Sequence, residues 1–161
     1  LAIISACTDI SESMEAQRLL RERNSALVRE NAELNILNND MPGGYHRCAR
    51  TKDFDFTYIS RRFLEISGYS RQQIKDLFDN KFINMIHPQD RGRVTGEVDC
   101  LTGRDSCGIM VYRMQSPRGY IWIVDQTNYL IYENREYLQG VVTELSELQK
   151  IVDSIQPIKL Q

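Results

Sequence analysis

The sequence predicts an α+β fold: a five-stranded antiparallel sheet with short helices gathered on one face, preceded by a long N-terminal helix. Three observations lead to it. Residues 11–39 hold neither proline nor glycine and are dominated by Glu, Gln, Arg, Leu and Ala, a helical composition. Between Ser60 and Gly103 the apolar residues fall into several short helical groups. From Gly108 to Glu144 the chain turns to Tyr, Ile, Val and Trp in three runs separated by turn residues.

A chain of 161 residues accommodates one domain with an arm or linker to spare. Its 42% hydrophobic and 26% charged residues are those of an ordinary globular protein. With 20 basic and 22 acidic residues, net charge -2, no global field gathers nucleic acid or an acidic membrane surface. No apolar run approaches the roughly 20 residues of a membrane span. The start LAIISACTDISE lacks the basic leader and long apolar stretch of a signal peptide. A cytoplasmic segment without membrane contact is expected. Cys7, Cys48, Cys100 and Cys107 form no C-x-x-C pair or metal-ligand spacing, so reduced thiols packed as small buried hydrophobes are expected, and no metal.

In the helical arm, Leu20, Leu27, Leu34 and Met41 recur every seven residues. As d positions they place Gln17, Asn24, Asn31 and Asn38 at a, which predicts a parallel homodimer. Asparagine at a fixes register at a cost in stability, so the coiled coil built on Leu20, Asn24, Leu27, Asn31, Leu34 and Asn38 is weak and able to re-pair. The alternative is an amphipathic helix lying on its own domain through Leu19, Leu20, Leu27, Val28, Leu34 and Leu37. Met41-Pro42-Gly43-Gly44 ends the helix and marks a domain boundary.

Strands follow at 45–49 and 54–59, the second with Phe54, Phe56 and Tyr58 alternating across the pleat. Gly68 ends the first short helix and Ser70 N-caps the next. Pro88 opens a further helix that carries Val94, Val98 and Leu101, runs to about Leu101, and has Asp90 near its positive end. Strands at 108–114, 120–132 and 135–144 are separated by Ser116-Pro117-Arg118-Gly119 and by Glu133-Asn134. Helix resumes after Ser146 with Leu148, Ile151, Val152 and Ile155 as its stripe.

Six short segments occur in sequence: Phe56-Thr57-Tyr58-Ile59-Ser60, Gly68-Tyr69-Ser70, His87-Pro88-Gln89-Asp90, Tyr112-Arg113, Gly119-Tyr120-Ile121-Trp122 and Thr143-Glu144-Leu145-Ser146-Glu147. In order and spacing they resemble the PAS family, one of whose patterns reads F-x-Y-I-S, G-Y-S, H-P-x-D, Y-R, G-x-x-W and D-I-T-E, over residues 41–148. Glu144 stands where the family has Asp. The resemblance implies that this carboxylate meets a basic group and couples the sheet to the outgoing helix; the alternative is that Glu144 only caps that helix. Cys7-Thr8-Asp9-Ile10-Ser11-Glu12 is similar to the closing motif of another PAS domain. By the same resemblance residues 1–12 are the remnant of a preceding domain with Asp9 as its coupling residue. Residues 13–40 are then a coiled-coil linker, and 149–161 begin a C-terminal linker helix. The run from Asn39 to Cys48 and that from Asn80 to Pro88 are similar to PAS domains of multi-domain bacterial diguanylate cyclases, whose GGDEF output domain would lie outside this chain. Sensor histidine kinases are the other common parent.

A PAS sheet curls around a cavity, which places a pocket between its inner face and the short helices. Ile121, Ile123 and Asp125 share one face of their strand and Tyr120, Trp122 and Val124 the other; the resemblance to light-sensing relatives puts the first group inward. Candidate pocket residues are Tyr58, Met85, Met110, Tyr112, Ile121, Ile123 and Asp125, with Arg113; a packed core without ligand uses the same side chains. Ile123 occupies the position of those relatives' flavin-binding asparagine, and their N-C-R-F-L-Q motif is absent, so flavin is not expected. Haem would need His46, on the first strand, or His87, at a helix start. No cofactor is predicted; an unknown small ligand stays open. No G-x-S-x-G, P-loop, H-E-x-x-H or paired-carboxylate motif supports catalysis. The leading reading is a sensory module that relays a signal through dimeric helices to neighbouring domains of its parent protein. A structural dimerisation domain without ligand, and a haem or flavin sensor, are the alternatives.

Overall fold

The structure, a computed structural model, describes residues 13–31, 42–103 and 106–154, with backbone only for 151–154. The chain divides into two compact units, residues 1–40 and 41–161. In the first, α1 spans 13–31 with every residue exposed. Arg18 pairs along its surface with Glu15 at 3.0 Å and Glu22 at 3.8 Å, contacts worth about 0.2–0.5 kcal/mol each. Leu20, Asn24, Leu27 and Asn31 all lie on α1, whereas Asp9, Leu34, Asn38 and the rest of residues 1–12 fall outside the described residues. No described helix is long and apolar enough to cross a membrane.

The second unit runs β1 (Gly44–Ala49), β2 (Phe56–Ile59), α2 (Arg61–Ser67), α3 (Arg71–Phe78), α4 (Phe82–Met85), α5 (Pro88–Asp99), β3 (Cys107–Ser116), β4 (Gly119–Tyr132), β5 (Arg135–Glu144) and α6 (Leu145–Ser154). The strands form one antiparallel sheet in the order β2-β1-β5-β4-β3. The first strand thus lies beside the last, and α2 to α5 cover one face: the predicted α+β fold.

Local signals explain most boundaries. Ser60 caps α2 by accepting from Phe63 N at 3.2 Å, and Gly68, with φ 76°, closes it. Ser70 and Gln73 form a reciprocal capping box on α3. Pro88 opens α5, which ends at Asp99, two residues short of the expected end; Leu101 is nevertheless buried. Glu133 and Asn134, at φ 48° and 61°, make the two-residue turn whose twist suits the β4–β5 hairpin.

The second strand departs from expectation. Phe54 has φ 56° and precedes β2 instead of belonging to it. The β1–β2 ladder then slips: Arg47 faces Tyr58 but Cys48 faces Phe56, leaving Thr57 as a bulge. Phe56 and Ile59 both point into the core, and Tyr58 turns outward against the ring of Tyr45 at 5.6 Å. Of the described cysteines only Cys48 is buried. Cys100, at the end of α5, and Cys107, at the start of β3, are exposed, so burial as small hydrophobes does not hold for them.

The core centres on Phe56, Phe63 and Phe82, whose ring centroids lie 5.1–5.9 Å apart. Against them stands the imidazole of His46, 4.7 Å from Phe82 and 5.8 Å from Phe63.

Candidate functional site

Strand register gathers the polar residues of the core. His46 on β1 and Thr127 on β4 both face Gly140 of β5, and Asp125 lies one step along the same face of β4. His46 Nε2 sits 3.2 Å from both carboxylate oxygens of Asp125, and the Tyr112 hydroxyl donates to Oδ2 at 2.8 Å. Cys48 Sγ lies 3.7 Å from His46 Nδ1. All four side chains are at most 2% exposed. Burial pushes the Cys48 thiol well above its ordinary range, with the charges of Asp125 and Asp55 adding to it. The thiol therefore keeps its proton. Burial raises Tyr112 in the same way, reinforced by the charge and hydrogen bond of Asp125, so its hydroxyl stays a donor.

Glycine at 140 is what makes the cluster possible. A Cβ there would lie 2.5 Å from Asp125 Oδ1, 2.6 Å from His46 Nε2 and 2.8 Å from Thr127 Oγ1. The order Cys48, His46, Asp125 has the outline of a nucleophilic array, but the reactive species would be a thiolate, which burial opposes. The cluster is a hydrogen-bonding network that joins β1, β3 and β4. Among the described residues no three His, Cys, Asp or Glu converge on a metal position.

Beside the cluster is a cavity of about 20 Å³ lined by His46, Cys48, Phe54, Phe82, Ile86, Val94, Val98, Met110, Tyr112, Asp125, Thr127 and Leu138. Ligand pockets usually have about 300–1,000 Å³. Of the expected pocket residues, Met110, Tyr112 and Asp125 line it. Met85 and Ile123 are fully buried in the core but do not reach it. Ile121 is half-buried and faces a surface groove with Tyr120, Trp122 and Leu145; Tyr58 is turned away by the bulge. His46, Cys48, Thr127 and Gly140 were not anticipated as one site. The alternation from Gly44 through His46 to Cys48 was the available signal, yet it does not show which distant strand they meet. His87 accepts from Gln89 N through Nδ1 at 3.2 Å, a helix cap.

Two ion pairs secure the periphery. Arg113 points away from the cavity: its Nε and Nη2 donate to the Asp90 carboxylate at 2.9 Å each, and its backbone N–H adds a third bond at 3.0 Å. Its guanidinium also lies 5.6 Å from the Trp122 ring. Asp90 thus does more than favour the positive end of α5; it fastens α5 to β3. At the exit of the sheet, Glu144 accepts from Ser146 Oγ at 2.7 Å. The ion pair at this junction falls three residues later: Arg62 Nη2 on α2 donates to both oxygens of Glu147 on α6, at 2.8 and 2.9 Å. Partial burial works against the Arg62 charge, but the bonds to Glu147 outweigh it and hold the guanidinium above its ordinary value.

A sequence profile of the PAS fold matches residues 56–142, more than half of the chain. The chain belongs to the PAS fold family. Solved PAS domains share the fold at low identity. The PAS domain of an HTR-like protein from Haloarcula marismortui has TM-score 0.62 at 12% identity, covering 78% of this chain and 99% of its own. The N-terminal domain of a diguanylate cyclase with PAS/PAC sensor from Marinobacter aquaeolei has TM-score 0.50 at 18% identity, covering 66% and 98%. The blue-light photoreceptor aureochrome1 LOV, in its light state, has TM-score 0.52 at 17% identity, covering 70% and 89%. Comparison with curated proteins returned no match.

Two outcomes follow for this PAS domain. Gly140→Ala forces a Cβ into the polar cluster and should destabilise by about 1–3 kcal/mol, read as a lower urea midpoint at unchanged m-value. The Arg113 side-chain bonds first, and then its backbone N–H, hold the Asp90 carboxyl far below the usual carboxylate range against the opposing effect of burial. The pair's stabilisation is therefore complete above the ordinary carboxylate pKa of about 3.9 and is lost as pH falls below it. Thermal melts from pH 6 to about pH 2 should show Asp90→Asn with a shallower acid-side fall than the unaltered chain.

Proposed function

We propose that this PAS chain is a sensory and regulatory module, acting in the cytoplasm, that relays a signal through dimeric helices to a downstream output domain. The observation that carries the reading is the junction at α6. That helix continues β5 without a break and is tied back to α2 by Arg62 and Glu147. Both side chains are about a third exposed, at 31% and 34%, so the pair is worth only about 0–1 kcal/mol in stability. A contact that weak adds little to the fold, but a shift in the sheet of comparable free energy can make or break it. The exposed outer sheet residues Ile109, Val111, Tyr120 and Trp122 provide further surface on which flanking helices can change their packing.

The likeness of the fold to a diguanylate cyclase's sensor domain supports an output of that kind, carried by a GGDEF domain, with a histidine kinase as the other parent. Leu20 and Leu27, 63% and 48% exposed on α1, supply the apolar seam for a homodimer, and Asn24 and Asn31 keep it weak. The small core cavity favours a second reading, a dimerisation domain that works without a small-molecule ligand.

Hydrogen–deuterium exchange tests the junction. Arg62→Glu or Glu147→Arg alone should speed exchange in α6, and the double exchange of charges should restore protection; unchanged α6 protection in the single variants sinks the relay through this contact. Sedimentation tests the dimer. The chain should show a concentration-dependent monomer–dimer equilibrium, and Asn24→Ile with Asn31→Ile should tighten it at least about tenfold. A monomer at every concentration in both proteins rules out pairing through α1.

A further inference from the structure

We propose that the open end of the β3 edge, at Cys107–Ile109, is a docking surface for a second copy of this chain, which lays its own β3 antiparallel against it. A sheet edge presents unpaired N–H and C=O groups, and folded proteins close such edges. Much of the edge is closed here. On β2, the backbone carbonyl of Asn80 accepts from Phe56 N at 2.9 Å, its side chain donates to Phe56 O at 3.0 Å, and Arg71 donates to Ile59 O at 2.6 Å. On β3, Arg113 gives its backbone N–H to Asp90 at 3.0 Å and accepts from His87 N at 2.8 Å, and Arg93 donates to Val111 O. These caps come from α5 and its N-cap, and they stop at Val111.

Register shows which groups remain. Arg113 turns its backbone N–H and C=O away from β4, whereas Ser106 O accepts from Tyr129 N at 3.0 Å. The β3–β4 ladder has no register shift from Cys107 to Ser116, so the odd-numbered residues of β3 point their backbone groups outward. No described residue caps those of Cys107 and Ile109. The Ile109 side chain is 71% exposed, more than any other large apolar side chain described.

The geometry also selects the occupant. Identical strands pair antiparallel about a two-fold axis, an isologous contact that closes on itself. With the axis at Gly108, Cys107 of each copy faces the partner's Ile109 and the two exchange both backbone bonds, while Val111 O stays with Arg93. The two glycines then form the non-hydrogen-bonded pair, in which Cα atoms approach to about 4.5 Å, and they bring no side chain to it. Residues 107–111 are Cys-Gly-Ile-Met-Val, so no like charges meet across the axis and no proline removes a donor. This contact is separate from the seam on α1.

Amide hydrogen exchange in the full chain, followed over a concentration series alongside sedimentation, provides the test. The Cys107 and Ile109 amides should exchange freely in dilute solution and slow at least about tenfold once the chain dimerises. Those of Met110 and Tyr112, which face β4, should stay protected throughout. Ile109→Pro removes an outward donor and leaves the β3–β4 ladder intact, so it should abolish the slowing at Cys107 while Met110 and Tyr112 report the fold unchanged. A dimer in which both edge amides still exchange freely overturns the proposal and leaves the pairing to α1. A chain that stays monomeric overturns it too, as does slowing at Cys107 that survives Ile109→Pro.

Discussion

A carboxylate can leave water only where donors replace its hydration, and Asp125, 1% exposed, imposes that condition on the whole sheet. Its donors come from two other strands, His46 on β1 and Tyr112 on β3, and the room for them comes from a fourth, at Gly140 of β5. None of these strands can shift by one residue without sending its partner to the opposite face. Loss of one hydrogen-bond partner from such a site costs on the order of 1–3 kcal/mol. Against a typical total of about 5–15 kcal/mol for a domain, that is a large share.

The two ion pairs do different work because they sit in different surroundings. Asp90 is 9% exposed and receives three bonds from Arg113, so α5 is held firmly over the cavity. Arg62 and Glu147 meet near solvent, where water competes for both charges. One pair sets structure. The other contributes little to stability, and it stands where the sheet hands over to the exit helix.

The interior is correspondingly closed. Phe56, Phe63 and Phe82 pack around the His46 imidazole, and the cavity beside it has only about 20 Å³. The exposed apolar residues of the β3 and β4 outer face and the Arg62–Glu147 pair at the junction with α6 lie at the surface of this PAS domain, while the polar interior keeps the strands in register.

Element type and order were readable in the residues, because the periods of helix and strand and the chemistry of caps are local. Ser70, Gly68, Pro88 and the Glu133-Asn134 turn act within a few residues of themselves, and each appears where it was expected. Alternation put Ile123 and Asp125 on one face of β4, and the resemblance to light-sensing relatives turned that face inward, where both are buried. Tyr58 was misplaced because a single bulge at Thr57 reverses the alternation, and bulges depend on the partner strand. The pairing of His46 with Asp125, 79 residues apart, and of Arg62 with Glu147, 85 apart, has no local signature at all. Local pattern was enough to show which elements form and in what order. Which charges meet could be seen only once the chain was folded, because strand register and helix docking bring together residues whose separation along the chain carries no trace of their contact.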